Sequence, residues 1–397
     1  MSGDDLMQVL ALNQGLIAHE LQNLGCEPAD AEIFIRNELH LCLKLSFIPK
    51  DLAPSLESAL RSAGIAVLII PERAGKDSGS STLLLAGSET AINLAAAKLS
   101  SDNSAFAPIG KLITDRLAAL NKTRRRKIAI GNRIIELGKK TCLMGILNVT
   151  PDSFSDGGRF NLLEKAIEHA YQMAEEGADI IDIGGESTRP GHQQVSVEEE
   201  LKRVLPIITA LKKEQSFKLP LSIDTYKASV AEAALDAGAE MLNDVWGLKG
   251  DPALAAVAAR YRVPVCLMHN RNNTDYEDLI SEVLAELEES VALALEAGIK
   301  EEGIIIDPGI GFGKDLSQNL EVILHLKDFG NLGYPLLLGT SRKSMIGKTL
   351  DLPVEERLEG TAATVAYGVS AGADIVRVHD VKEMKRVIDM TDAMIRR

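Results

Sequence analysis

One four-part unit recurs along the last two-thirds of the chain and limits what it can become. A helix-like stretch is followed by Gly-Ala-acid, then a short apolar run, then polar residues. It reads Gly177-Ala178-Asp179 before IIDIGGE, Gly238-Ala239-Glu240 before MLNDVWG, and Gly372-Ala373-Asp374 before IVRVHD, with a looser copy at Ala297-Gly298 before GIIIDPG. Glycine is the usual residue just past a helix C-terminus, where φ turns positive. Short Ile-, Val- and Leu-rich runs between helices are the mark of strands buried on both faces of a parallel sheet. Eight such runs lie near 143–147, 180–183, 221–223, 241–242, 263–268, 304–306, 336–338 and 375–378. The segments between them carry a helical face, as Leu163, Ile167, Ala170 and Ala174 do. Eight βα units in about 250 residues is the size of a (β/α)8 TIM barrel. A doubly wound α/β sheet is the alternative, but no early Gly-rich dinucleotide turn supports it.

Residues 1–126 read differently, as a small α+β domain ahead of a barrel domain at 127–397. Strands are predicted at 41–47, 66–70 and 82–85, and helices at 52–63, 89–99 and, longer, 5–24. A polar Gly/Ser-rich loop occupies 73–81. The basic cluster Arg124-Arg125-Arg126-Lys127 runs into KIAIGNRIIEL, a predicted hairpin turning at Gly131-Asn132. The cluster reads as a solvated connection rather than an anion site.

The formal net charge of −14 argues against non-specific nucleic-acid binding. It also requires that any anionic substrate be met by cations gathered in one place. Cys26, Cys42, Cys142 and Cys266 show no CxxC or Cys/His spacing. Cys142 and Cys266 stand in apolar runs and are expected to be buried thiols in a reducing cytosol. No run approaches the ~20 apolar residues of a membrane span, and residues 1–10 lack a basic stretch leading into an apolar one. The expectation is a soluble, cytoplasmic protein.

A TIM barrel carries its active site at the C-terminal ends of its strands. Polar residues follow every predicted strand: Asn148; Glu186-Ser187-Thr188-Arg189; Asp224; Asn243-Asp244; His269-Asn270; Asp307; Lys343; and Arg377 with His379. A single Asp or Asn after a strand is often a helix N-cap, and Asp244 fits that as readily as it fits a site. A polar group at every strand end is more than solvation requires. Asp224, Asn243 and Asp307 offer carboxylates and an amide to one mouth. Carboxylates accept in pairs from N–H groups lying side by side, which suits a heterocycle with a guanidine-like edge. Lys343 adds a donor for a carbonyl or ring nitrogen. Arg377 and His379, two apart on one strand, share a face and make a cationic patch for a phosphate or pyrophosphate.

The stretch MGILNVTPDSFSDGG at 144–158 resembles the first signature of the dihydropteroate synthases. Further matches follow in that family's order: GGESTRPG at 184–191, SIDTYK at 222–227, NDVWG at 243–247, DPGIGFGK at 307–314, GTSRKSMIG at 339–347 and RVHD at 377–380. The resemblance covers residues 127–397 and leaves the N-terminal domain outside it. One departure is visible. Where the family often reads MHMxGxP after strand five, this chain reads Met268-His269-Asn270-Arg271-Asn272-Asn273, with neither the Gly nor the Pro.

The resemblance implies condensation of 6-hydroxymethyl-7,8-dihydropterin pyrophosphate with p-aminobenzoate to give 7,8-dihydropteroate and pyrophosphate, in folate biosynthesis. It implies Mg²⁺ as cofactor, a homodimer, and sulfonamides acting as p-aminobenzoate mimics. Asp224, Asn243, Asp307 and Lys343 correspond to pterin-recognition groups, with Gly339 beside them and Met268 and Phe312 packed against the ring. Asn148, Arg377 and His379 correspond to the pyrophosphate contacts, with the metal near Asn148. Phe154 and Asp156 on one loop and Thr188 and Arg189 on another correspond to the groups that close over p-aminobenzoate. Ser344, at the start of a helix, corresponds to a contact for its carboxylate. The catalytic groups implied are Asp224, Asp307, Lys343, Arg377 and His379, acting on charge during dissociative loss of pyrophosphate rather than as nucleophiles. A methyltetrahydrofolate-dependent methyltransferase accounts equally for Asp224, Asn243 and Asp307, but not for TPDSFSDGG or the Arg377–His379 pair. A non-catalytic pterin-binding protein leaves SRKS, STRPG and RVHD without a task. GIGFGK lacks P-loop spacing, which excludes a bare NTPase.

Overall fold

A computed structural model of the chain describes residues 8–12, 21, 24–26, 41–70, 79–101, 105–122, 126–149, 159–186 and 194–396. The chain divides into two units, Met1–Lys122 with Lys327–Gly333, and Thr123–Leu326 with Tyr334–Arg397.

In the first unit, β1 (Gln8–Leu12), β2 (Leu41–Pro49), β3 (Ala66–Ile70) and β4 (Ser80–Gly87) form an antiparallel sheet of order β1-β2-β4-β3. The helices are α1 (Ala53–Ser62), α2 (Glu89–Ser101) and α3 (Ala107–Lys122). Side chains alternate across β4. Leu83 and Leu85 join Leu56, Leu60, Ile92 and Ile113 on the helical face, while Leu84 and Ala86 join Cys42 and Leu21 on the other. The helix predicted over 5–24 fails at its start, although Leu21 is helical. Residues Gln8–Leu12 are a strand paired with β2 from Gln8↔Ser46 to Leu12↔Cys42. Satisfying the edge of β2 outweighs a weak helical propensity. Helix α3 is not legible because Pro108 and Gly110 look like breaks. Proline is tolerated in a first turn, and Gly110 allows close approach: a Cβ there would lie 2.6 Å from Ser100 N and 2.7 Å from Ala96 O. Residues 73–78 of the expected Gly/Ser-rich loop lie outside the described residues.

The second unit opens with the expected hairpin, β5 (Arg126–Ile130) and β6 (Arg133–Leu137), with Ile130 paired to Arg133 across Gly131-Asn132. Lys127 pairs with Glu136 at 3.1 Å on an exposed face, while Arg124 and Arg125 of the basic cluster lie outside the described residues. Eight parallel strands follow: β7 (Cys142–Asn148), β8 (Ile180–Gly184), β9 (Leu221–Asp224), β10 (Met241–Asp244), β11 (Val265–Met268), β12 (Ile304–Asp307), β13 (Leu337–Leu338) and β14 (Ile375–Val378). Their order is β12-β11-β10-β9-β8-β7-β14-β13, and a bridge between Ile306 and Leu336 closes the ring. Between and after them run α4 (Arg159–Glu175), α5 (Val197–Lys213), α6 (Ala228–Asp236), α7 (Ala253–Tyr261), α8 (Leu279–Glu296), α9 (Leu316–Leu324), α10 (Ser344–Leu350), α11 (Leu358–Ser370) and α12 (Val381–Ile395). This is the TIM barrel that the repeat predicted.

Inward-facing residues stack in layers two apart along each strand. Ile180, Met241, Cys266, Ile305 and Ile375 form an apolar floor, on which Ile128, Ile130 and Leu137 of the hairpin pack. Two positions further on, the same strands present Asp182, Asn243, Met268, Asp307 and Arg377. The polar layer is thus set directly on the core by strand parity. Cys142 and Cys266 are buried free thiols, and burial pushes both well above their usual range. Among the described residues, no helix is long and apolar enough to cross a membrane.

Candidate active site

Arg377 reaches from β14 into the barrel and ties two carboxylates together. Its Nε donates to Asp182 Oδ2 at 2.6 Å and its Nη2 to Asp224 Oδ2 at 2.7 Å. Asn243 Nδ2 donates to the same Asp182 oxygen at 3.0 Å. Asp182 is 0% exposed and Asp224 6%. Asp182 Oδ1, Asp224 Oδ1 and Ser222 Oγ have no hydrogen-bond partner among the described residues. A buried acceptor left so costs about 1–3 kcal/mol, and a ligand's N–H groups relieve that cost. Burial pushes Asp224 up to about 7, with the Arg377 guanidinium opposing and Asp182 reinforcing the shift. Burial alone would lower Arg377, but Asp182 and Asp224 hold it well above its ordinary value. Sequence reading missed Asp182. Its only signal was a carboxylate in the middle of a run buried on both faces.

The opposite wall is built by the turn after β12. Asp307 Oδ1 accepts from Gly309 N at 2.7 Å. Burial raises the Asp307 carboxyl, with that N–H and Lys343 opposing. Phe312 packs with Met268 and Val245, flanked by Tyr226 and Trp246. Lys343 Nζ lies 4.1 Å from the Phe312 ring centre. A Cβ on Gly339 would lie 3.9 Å from Asp307 Oδ2, so its absence leaves that oxygen open. Carboxylate and amide on one side and an apolar wall on the other are what a flat, polar-edged ring requires.

Asn148 stands across Gly184 from Asp224. A Cβ on Gly184 would lie 3.6 Å from both Asn148 Oδ1 and Asp224 Oδ2, so the glycine keeps a concavity between them. His379 is held by Ser341, whose Oγ accepts from the His379 backbone N at 3.1 Å and lies 3.0 Å from Nδ1. That leaves the hydroxyl hydrogen for Nδ1, so a neutral His379 carries its proton on Nε2. Beside this pair, Arg342 Nε donates to Asp380 Oδ2 at 2.9 Å, and Arg342 takes φ 55°. The two contacts clasp the SRK segment to the end of β14. Ser344 is the exposed first residue of α10.

Other strand-end groups serve the scaffold. Asp244 accepts from Trp246 N at 2.9 Å and Leu248 N at 2.6 Å, the turn role weighed against a site role. Glu186 is bound by Lys227, which also holds Glu200 at 2.7 Å. Phe154, Asp156, Thr188 and Arg189 lie outside the described residues. No group of His, Cys, Asp and Glu able to cage a metal occurs among the described residues. Mg²⁺ does not need one, because it keeps several waters and binds mainly through substrate phosphates. The single amide oxygen of Asn148 beside the Gly184 concavity fits that donor chemistry.

Fold and site together define a TIM-barrel enzyme with a buried carboxylate–guanidinium layer at the C-terminal mouth. The family profile described as "Pterin binding enzyme" matches residues 144–379. The dihydropteroate synthase of Clostridium beijerinckii is 57% identical over 269 residues, covering 68% of this chain and 99% of that relative. The crystal structure of Clostridium difficile dihydropteroate synthase in the presence of pteroic acid is similar at 55% identity and a TM-score of 0.64, over 66% of this chain and 99% of that one. Xanthomonas albilineans dihydropteroate synthase with 4-aminobenzoic acid follows at 42% identity and a TM-score of 0.65, over 68% and 98%. The chain belongs to the dihydropteroate synthase family of pterin-binding enzymes.

Proposed function

We propose that the barrel joins 6-hydroxymethyl-7,8-dihydropterin, presented as its pyrophosphate, to p-aminobenzoate, giving 7,8-dihydropteroate and pyrophosphate. The layer of Asp182, Asp224, Asn243 and Asp307 around Arg377, facing Met268 and Phe312, carries this reading. Asp307 and Asp224 accept from the ring's N–H edge, and Asn243 is aligned by Asp182. Lys343 donates to the far side of the ring above Phe312. Carboxylates outnumber the cations of this layer, so it favours positive charge on the ring.

That preference fits a dissociative reaction. The bond between the pterin methylene carbon and the pyrophosphate oxygen breaks, and the electron pair leaves with pyrophosphate. The resulting cation is conjugated with the ring, where Asp224 and Asp307 stabilise it. The amine of p-aminobenzoate then forms the new C–N bond and gives its proton to pyrophosphate or water. Arg377 Nη1 and His379 Nε2–H meet the leaving oxygens. Asn148 Oδ1 would hold Mg²⁺, which would supply further positive charge for the departing pyrophosphate. Phe154, Asp156, Thr188, Arg189 and Ser344 complete the p-aminobenzoate side in this reading.

A cytoplasmic homodimer goes with it. The buried thiols of Cys142 and Cys266 support the compartment, and exposed Tyr367 on α11 with Met390 and Met394 on α12 supports association through helices outside the barrel. The pocket assignment is tested by Asp307→Asn and calorimetry with the pterin pyrophosphate. Loss of a charge-assisted contact is expected to weaken binding by about 1.5–3 kcal/mol, and unchanged affinity would remove Asp307 from the ring site.

A further inference from the structure

The loop after β11 departs from the family's common pattern, and the resemblance gives it no task. In the structure it leads to a buried lysine. Lys314 is 8% exposed, and its Nζ has three neighbours: His269 Nδ1 at 2.8 Å, Phe312 O at 3.1 Å and Gly309 O at 3.2 Å. Three acceptors match the three N–H bonds of an ammonium. His269 accepts at Nδ1, so its proton sits on Nε2, which makes an off-axis contact with Glu286 Oε2 on α8 at 3.1 Å. Glu286 is held by Arg271 Nε at 2.7 Å, and Arg271 also donates to Glu282 Oε2 at 2.7 Å. Arg271 stacks on Tyr276 at 4.2 Å, and the Tyr276 hydroxyl donates to Gly313 O at 2.7 Å.

The network therefore returns to the turn from which Lys314 came. It grips the carbonyls of Gly309, Phe312 and Gly313 from behind. The front of the same turn carries the Gly309 N–H bonded to Asp307 and the ring of Phe312 beneath Lys343. The backbones leave no slack: a Cβ on Gly309 would lie 1.9 Å from His269 O, and one on Gly313 would lie 2.8 Å from Arg271 N.

We propose that Lys314 is a positioning residue of the ring pocket, whose ammonium, seated on His269 and the carbonyls of Gly309 and Phe312, fixes the turn that presents Asp307 and Phe312 to the pterin. It touches no substrate itself. The inference rests on the reading of Asp307 and Phe312 as ring contacts, and it gives the His269-to-Arg271 segment its function.

The ammonium is also sensitive to pH. The charged groups around it are Asp307 on β12, Glu286 on α8, Arg271 after β11, and Lys343 before α10. Burial lowers Lys314 to about 7, with Asp307 and Glu286 pulling the other way. Burial lowers His269 to about 4, so the imidazole stays a neutral acceptor above that pH. Burial alone would raise Glu286, but His269 and Arg271 bring it to about 2, so it stays ionised. Raising the pH through about 7 removes one N–H from Lys314 and leaves one of its three acceptors without a donor. The turn then loosens, and ring affinity falls.

The test uses the full chain, with 6-hydroxymethylpterin as the calorimetric probe and affinities referred to that pterin's own titration. The wild type is expected to bind more weakly as pH rises from 6.5 to 9. Lys314→Met is expected to bind about tenfold more weakly at pH 6.5, the worth of about one lost charge-assisted contact, and to show no further decline with pH. In turnover, its KM for the pterin pyrophosphate should rise and its kcat fall, because Asp307 also stabilises the cation, while the KM for p-aminobenzoate stays within about twofold of wild type. Lys314→Gln, which keeps two donors, should fall between the two. Wild-type affinity and pH profile in a folded Lys314→Met protein would overturn the proposal, as would equal loss of both substrates. Should neither variant fold, the wild-type profile decides, and a flat one overturns the proposal. A wild type that binds no pterin at all would instead sink the ring-pocket reading on which it rests.

Discussion

Asp182→Asn removes one charge from a buried trio in which two carboxylates share one guanidinium. Arg377 Nε and Asn243 Nδ2 both donate to Asp182 Oδ2, at 2.6 and 3.0 Å, and the side chain is 0% exposed. An amide keeps an acceptor at that place but not the charge. Hydrogen bonds to charged groups contribute about 1.5–3 kcal/mol and neutral ones about 1 kcal/mol. The Arg377 contact should therefore lose about 0.5–2 kcal/mol of stability, read as a shift in urea midpoint at constant slope. A second effect has a definite sign. Asp182 is one of the groups that raise Asp224, so its neutralisation should lower the Asp224 pKa. Stability reports that change through linkage. A carboxyl raised from 3.8 contributes stability that is present below 3.8 and lost as pH rises through about 7, a window the variant should narrow. Urea titrations across this range read both. A decline in stability that ends at the same or a higher pH in the variant, with a wild-type midpoint, would refute the coupling of Asp182 to Asp224.

Ser341→Ala frees the His379 ring from the hydroxyl at 3.0 Å and should weaken pyrophosphate binding by roughly tenfold or less; equal calorimetric affinity would deny Ser341 that role. Asn148→Ala should remove most of the gain in pyrophosphate affinity that Mg²⁺ brings to the wild type, whereas an undiminished gain would place the metal elsewhere. Removing residues 1–126 should leave a folded barrel that binds pterin, since the Clostridium beijerinckii relative is matched over 99% of its length by 269 residues; an insoluble or inactive product would show that the N-terminal domain is required.

The barrel was legible because its signal repeats. Four barrel helices end at a glycine (Gly177, Gly238, Gly298 and Gly372), each strand is a short apolar run, and each strand end is polar. Asp224, Asn243, Asp307 and Arg377 could be read as one constellation because they stand at those ends, and the structure brings them into one layer. Asp182 could not be read the same way. It lies two residues before Gly184, at the end of its strand, and only inward parity against Asn243 and Arg377 reveals that it belongs to the layer. Lys314 was hidden for another reason. After a glycine-rich turn a lysine reads as solvent-facing, and its burial follows from a loop folding back on residues from β11 and α8, contacts remote in sequence. The strand Gln8–Leu12 was misread because its partner edge lies some thirty residues away, at Cys42–Ser46.

Incubating the purified full-length protein with 6-hydroxymethyl-7,8-dihydropterin pyrophosphate and Mg²⁺, with and without p-aminobenzoate, tests the central claim most directly. Pyrophosphate and 7,8-dihydropteroate should be followed together. The two should appear in equal amounts, dihydropteroate should form only when p-aminobenzoate is present, and a sulfonamide should suppress it. Binding of the pterin with no dihydropteroate formed under these conditions would contradict the account and leave a protein that holds the ring without joining it to the amine.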